Sequence, residues 1–357
     1  MNILQATQAY EKWLRSRVKV VDADLAEKHH KMEASCFSFM RATFYRWVPT
    51  WAETCAVLAG APKVLAVGDL HVENFGTWRD GEARLVWGIN DFDEAALMPY
   101  TIDLVRLATS ALLARKERKL RSAPDKACAA ILEGYQQQIG NRAEPYVLEE
   151  HHLPLRAAAL STERDPAKYW QKPDELQTVT TPPAVRKLLM AQMPKGVQNT
   201  RIVHRTAGAG SLGRPRFVAL ATLNGSRVAR EAKAMIPSAY GWATGRVSDD
   251  LYCEKITHNA IRSHDPYMSL AGTWLIRRLG PRCSAIDLNM LPAKSDEQYF
   301  LEAMGCETAN IHLGSVGARP KIRAHLARLP KGWLHQAAKE MADVVMNDWA
   351  DWKNASR

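Results

Sequence analysis

No stretch of the 357-residue chain approaches the roughly 20 consecutive apolar residues that a helix needs to span a bilayer. Residues 1–17 lack the apolar core of a secretory signal. The cysteines, Cys36, Cys55, Cys128, Cys253, Cys283 and Cys306, are scattered and no two form a Cys-x-x-Cys pair. That spacing argues against a disulfide framework or a zinc site and fits reduced thiols in a cytoplasm. His29-His30 and His151-His152 have no partners at metal-ligand spacing. There is no internal repeat, no low-complexity segment and no long Lys/Arg block interleaved with aromatics. The formal net charge is nevertheless +10, which favours anionic partners. With the basic residues dispersed, the expectation is nucleotide phosphates or acidic substrates, and direct nucleic-acid binding is disfavoured. A hydrophobic content of 46% and a charged content of 24% describe a soluble globular chain, long enough for two lobes with their own cores.

The most informative run is Gly68-Asp69-Leu70-His71-Val72-Glu73-Asn74-Phe75-Gly76, followed by Asn90-Asp91-Phe92-Asp93-Glu94. An Asp and an Asn five positions apart, then an Asp-Phe pair after one short hairpin, is the skeleton of a phosphoryl-transfer site. Asp69 is read as the base that accepts an acceptor hydroxyl proton. Asn74 and Asp91 are read as Mg²⁺ ligands, with Asp93 as a second or bridging ligand, because magnesium prefers hard oxygen donors. The bland alternative for each is turn chemistry. His71 braces the loop or carries a proton. Asp103 braces the catalytic loop from a helix start or caps that helix.

Gly208-Ala209-Gly210-Ser211-Leu212-Gly213 is a G-x-G-x-x-G loop. Alone it is a weak signal, since glycine-rich turns are common. Its context strengthens it: strands are expected at 201–206 and 216–223, Asn224-Gly225 marks a two-residue hairpin, and 227–233 returns as a third strand. A Rossmann reading needs a helix directly after the loop, and Arg214-Pro215-Arg216-Phe217-Val218 argues against one. Strand, glycine loop, strand, tight turn and a strand ending in a cation is the pattern of a kinase small lobe. The loop's Gly208, Gly210, Ser211 and Gly213 are its expected phosphate contacts. Residues 230 and 233 lie on opposite faces of one strand, so either Arg230 or Lys233 reaches the phosphates, and Lys233 is preferred. Glu254, on a helix expected at 248–263, pairs with that cation or lies on a solvated face.

Helices are expected at 4–21, 37–58, 101–119, 124–140, 184–193, 297–313 and 333–352, with strands at 63–67, 75–78, 84–89, 274–279 and 285–291. Ordinary kinases place the glycine loop before the catalytic loop, and here the order is reversed. Permutation is tolerated where termini lie close together. The expected architecture is therefore α+β, two-lobed and protein-kinase-like, circularly permuted. Residues 1–150 form a large-lobe core, 151–198 a proline-rich connecting excursion, 199–295 the small-lobe sheet, and 296–357 helices returning to the large lobe.

Gly68-Asp69-Leu70-His71-x-x-Asn74 resembles the G-D-L-H-x-x-N loop of aminoglycoside and choline phosphotransferases, and Asp91-Phe92-Asp93 resembles their I-D-F-[DE] strand. Across about residues 30–320 the chain is similar to the bacterial family described as domain of unknown function 2252. The carrying segments are residues 38–47, 68–76, 90–94, 208–213 and Arg230-Glu231-Ala232-Lys233. The resemblance implies a relative of the kinase superfamily and no particular substrate. Two positions depart from it: phosphotransferases carry His before Gly-Asp where this chain has Val67, and related sequences read Lys-Glu-Ala where it has Arg230-Glu231-Ala232. The expected activity is ATP- and Mg²⁺-dependent transfer of the γ-phosphoryl group to a hydroxyl on a small molecule or protein. Nucleotidyl (AMP) transfer on the same residues and a catalytically inactive nucleotide-binding module are the alternatives. The sequence leaves the acceptor and the oligomeric state open.

Overall fold

Ten strands are found among the described residues: β1 Lys63–Ala66, β2 Phe75–Arg79, β3 Leu85–Ile89, β4 Ala96–Pro99, β5 Tyr146–Val147, β6 Gln198–His204, β7 Arg216–Leu223, β8 Ser226–Ala234, β9 Ser269–Ala271 and β10 Trp274–Leu279. They form three antiparallel sheets, β1-β4, β2-β3-β5 and β6-β7-β8-β10-β9. Long helices make up most of the rest, so the class is α+β. The computed structural model describes residues 1–117, 120–161, 165–246, 248–283, 285–286 and 294–355, with 294 and 295 described by backbone alone. Among the described residues no helix is long and apolar enough to cross a membrane. All six cysteines are free thiols.

The five-stranded sheet follows from period-two patterning. Residues two apart along a strand share a face. Val203, Val218, Leu220, Ala229 and Leu279 cover one face, with Trp170 and Leu176 packed against it. Ile202, Ala219, Ala221, Ala232 and Ile276 cover the other, beneath Val185 and Leu189 of the Pro183–Ala191 helix. Asn224 and Gly225 join β7 to β8 with φ of 49° and 77°, the paired positive values that a type I′ turn requires and that an Asn-Gly sequence supplies. The outer edge of β6 is covered, because the Val179 N–H donates to the Ile202 carbonyl at 3.0 Å and Thr178 bridges to Val203.

The principal core joins the N-terminal helices, the β1-β4 pair and the helices Thr101–Lys116, Pro124–Gly140, Lys294–Leu313 and Trp333–Ala355. Within it the Pro124–Gly140 and Lys294–Leu313 helices cross at two glycines. A Cβ on Gly305 would lie 2.0 Å from the Ile131 carbonyl oxygen, and one on Gly134 would lie 1.9 Å from the Glu302 carbonyl oxygen. The absence of side chains lets the two backbones touch.

Several sequence expectations shift. The helix expected over 37–58 breaks into Cys36–Ala42, Phe44–Thr54 and Ala56–Ala59. At the first break the Thr43 hydroxyl bonds back to the Phe39 carbonyl at 2.7 Å, the local competition that unwinds helices at Thr. The first 60 residues are expected to be helical, but the sequence does not delimit the separate helix at Asp22–Ala34, between those expected at 4–21 and 37–58. The helix expected at 248–263 contracts to Cys253–Asn259. The strand expected at 285–291 falls mostly outside the described residues, and its described start, Ala285, bridges to Gly76 of β2.

Gly305→Ala should therefore force the helices apart and lower the denaturation midpoint, at a cost of about 1–3 kcal/mol for overpacking. Gly81→Ala is the control, since nothing lies within 4 Å of its added Cβ. Equal midpoints for the two variants in a urea titration would refute the close crossing.

Candidate active site

β1 delivers the chain to Gly68, whose φ of 84° is left-handed and whose Cβ would lie 2.6 Å from the Glu94 carbonyl oxygen. Both conditions demand glycine. The turn is held from the Thr101–Lys116 helix. Asp103 accepts the Val67 N–H at 2.7 Å and the Gly68 N–H at 2.8 Å. His312 Nε2 lies 3.0 Å from the same carboxylate, and His312 Nδ1 lies 2.9 Å from the Tyr135 hydroxyl. All five groups are buried. Asp103 does not cap its helix: the cap position is Tyr100, with no side-chain cap bond.

Asp69 follows. Its Oδ1 accepts from Nε of Arg106 at 3.0 Å and from a second nitrogen of the same guanidinium. Arg106 is itself buried between Phe44 and Trp47. Burial pushes the Asp69 carboxyl up to about 7, against the opposing pull of Arg106, with Glu94 and Asp91 adding to the rise. Asn74 Nδ2 donates to the Asp69 carbonyl at 2.7 Å, closing the loop. His71 is a loop brace in this geometry: Nδ1 lies 3.2 Å from the Glu73 N–H and Nε2 3.3 Å from Arg41 Nε. Arg41 pairs with Glu73. Arg46 is remote in role, forming a two-bond pair with Asp348 of the C-terminal helix at 2.7 and 3.0 Å.

The hairpin β2-β3 returns the chain to Asp91 and Asp93 beside this loop. Lys233, at the end of β8, pairs with both: Nζ is 3.2 Å from Asp91 Oδ1 and contacts Asp93 Oδ1. Arg214 stands 3.8 Å from Asp93 and 2.9 Å from Glu94. Burial opposes ionisation of Asp93, but Lys233 and Arg214 hold its carboxyl low. Burial and the neighbouring Asp93 charge push Asp91 up. Glu94 also accepts the Ala239 N–H and the Ser238 hydroxyl, at 2.6 and 3.1 Å.

The glycine loop folds onto these groups. Gly208 and Gly213 have φ of 76° and 95°, with a single 3₁₀ turn at Ala209–Ser211 between them. A Cβ on Gly210 would lie 2.8 Å from Asp69 Oδ2, so loop and carboxylate touch. The Ser211 hydroxyl accepts from Arg216 at 2.8 Å. A closed cleft of about 40 Å³ remains, with Asp69, Asn74, Asp91, Asp93 and residues 208–211 in its walls. The Asp22–Ala34 helix pins the loop: Asp24 accepts the Thr206 hydroxyl at 2.8 Å and lies 2.9 Å from His204 Nε2.

Two candidate residues lie away from the cleft. Arg230 is on the opposite face of β8, donating to the Gln192 carbonyl at 3.0 Å and stacked 4.4 Å from the Tyr267 ring. The alternation of a strand puts it there. Glu254 does not reach Lys233; it is exposed on its short helix, and Lys233 takes its acids from the Asp91 loop instead. Sequence reasoning also missed Arg106, Arg214 and Asp24. Arg106 follows Asp103 by three residues on one helix, so its position one turn along the same face was the available signal. Among the described residues no three His, Cys, Asp or Glu side chains gather as a metal cluster.

Residues 19–177 match the model of a family described as an uncharacterized protein conserved in bacteria (DUF2252). The matched span holds the Asp69, Asn74 and Asp91 loops and ends before the glycine loop and Lys233. No curated protein and no solved structure matches the chain.

Asp103→Ala should strip two buried N–H groups and His312 of their acceptor. Removing one partner from a buried charged network costs about 3–5 kcal/mol, readable as a lower urea midpoint. Asp69 gives a pH test. Its carboxyl is raised from 3.8 to about 7 in the fold, so between those values the native state holds a proton that the unfolded state has released. Stability should fall as pH rises through that window. Asp69→Asn should flatten the fall, and an unchanged slope would show that Asp69 does not titrate there.

Proposed function

We propose that the chain is an ATP- and Mg²⁺-dependent phosphotransferase of kinase-like, permuted architecture that passes the γ-phosphoryl group to a hydroxyl acceptor. One observation carries the reading: Lys233 and the 208–211 loop converge on Asp69, Asn74, Asp91 and Asp93 from more than a hundred residues away in sequence. A glycine loop, a tight turn and a strand ending in a buried lysine, set against an Asp/Asn/Asp group, suits phosphoryl transfer. A second cavity of about 600 Å³ lies on the same face of the sheet, against Val218, Leu220, Ala229 and Trp170, and suits a nucleotide base. Ala229 and Lys233 are four residues apart on one strand, roughly 13 Å, so base and phosphates can lie along one face.

Asn74, Asp91 and Asp93 would hold the metal. Their oxygens are hard donors, and two close carboxylates whose charge is now met by Lys233 and Arg214 suit a divalent cation. When bound, Mg²⁺ supplies neutralisation of phosphate oxygens. Asp69, ionised, takes the acceptor hydroxyl proton on Oδ2, the oxygen beside Gly210. Arg106 holds the other oxygen and so fixes the carboxylate plane. The glycine loop lifts from Asp69 to admit the triphosphate, since the closed cleft has room for only a few waters. Positioning and charge supply most of the acceleration.

Asp91→Ala should keep a cooperative melt and lose the thermal shift that ATP with Mg²⁺ produces; an unchanged shift would remove Asp91 from the metal site. Asp69→Asn should leave nucleotide affinity nearly intact and lower turnover by about 10²–10⁴-fold, the range for a lost general base. In the parent protein turnover should rise with pH through about 7. Full activity in the Asn variant would sink the base assignment. Product mass separates the transfers, a phosphate added in one case and AMP in the other.

A further inference from the structure

Between the base-sized cavity and Lys233 the sheet face carries a cluster of charge that the proposed reaction has not yet used. Glu231 lies midway between Ala229 and Lys233 on β8 and is fully buried. Three guanidiniums converge on it: Arg205 at 2.7 Å, Arg277 at 2.8 Å and Arg216 at 3.3 Å. One carboxylate meets three cations, so the cluster keeps a formal charge of +2. Arg216 continues to the Ser211 hydroxyl of the glycine loop at 2.8 Å. The side chains of Arg205 and Arg277 remain 34% and 23% exposed, and each spends one nitrogen on Glu231. Arg205 also lines the large cavity. Burial opposes the charge on Arg277, and Glu231 and then Asp91 sustain it.

We propose that Arg205 and Arg277 form a phosphate-binding site for the inner phosphates of a nucleoside triphosphate, with Glu231 and Arg216 holding them in place. The inference rests on the phosphotransferase reading above. Positions 229, 231 and 233 step along one strand at about 6.6 Å each, so base cavity, arginine pair and lysine–metal loop succeed one another as base, inner phosphates and terminal phosphate do. Arginine suits this role because its planar fork can bind phosphate oxygens with two parallel bonds while a further nitrogen stays on Glu231. A net positive cluster binds polyphosphate before any metal is added, which a lysine paired to two aspartates does not do alone.

The test titrates the full chain with sodium triphosphate in EDTA by calorimetry, beside ATP in EDTA and ATP with Mg²⁺. The wild type should bind triphosphate without metal, and ATP should displace it. Arg277→Gln and Arg205→Gln should each weaken triphosphate binding by about tenfold or more, the loss expected for a charge-assisted contact, measured below the melting point of each variant. If Arg277→Gln does not fold, Arg205→Gln carries the test, because Arg205 is the more exposed. A role confined to bracing the sheet would lower the melting point and leave triphosphate affinity unmoved, and that result overturns the proposal. So does simultaneous binding of ATP and triphosphate. ATP–Mg²⁺ binding without triphosphate binding refutes the arginine site alone; absence of both refutes the phosphotransferase reading and this inference with it.

Discussion

The ammonium of Lys233 sits between two carboxylates that would otherwise repel each other. Asp91 and Asp93 are two residues apart on a loop from one sheet, and their counter-cation comes from the end of β8 in another. Burying that many charges is tolerable only when each meets its opposite. The pairing therefore does more than neutralise. It fixes where the end of β8 must lie, and with it the register of the five-stranded sheet against the Asp69 loop. Arg214 repeats the device on Glu94, whose other oxygen holds the chain at Ser238 and Ala239. The cleft is thus closed by charges that are mutually satisfied, and an incoming anion with its metal has to exchange partners with them.

The backbone around Asp69 is rigid for a different reason. Asp103 takes two successive N–H groups of the turn and is itself held by His312 and Tyr135 in a dry interior. A carboxylate that can accept four hydrogen bonds is one of few groups able to serve backbone and side chain at once. The glycine loop is held by side chains instead: the buried Ser211 hydroxyl accepts from Arg216, and Asp24 reaches Thr206 and His204. One wall of the cleft is fixed through its backbone and the other through polar side-chain contacts.

Much of this was legible in the chain. Asn224-Gly225 specified its turn, period-two patterning specified the strands beside it, and the parity of 230 and 233 specified opposite faces. The motif spacing around Asp69, Asn74 and Asp91 specified that one hairpin would bring them together. What was illegible depended on distance in sequence. Nothing local to Arg214 or Arg106 announces a buried acid elsewhere, and Glu231 gives no sign that three arginines from two strands and a loop will meet it. The Asp22–Ala34 helix is rich in charged residues and its pattern is dull, yet it carries the loop's tether. Glu254 shows the converse error: a helix after a sheet suggested a partner for the lysine, and the helix turned that residue outward. The family match, over residues 19–177, covers the acidic half of the cleft and stops before the basic half.

That division has a consequence during synthesis. As the polypeptide leaves the ribosome, Asp91, Asp93 and Glu94 emerge more than a hundred residues before Arg214 and Lys233. Until the later strands follow, those carboxylates have no cations to meet and stay hydrated, so the early half cannot close its own acidic loop. The acidic loop gains its counter-charges only with Arg214 and β8, and the reversed order of the two motifs makes the nascent chain wait for them.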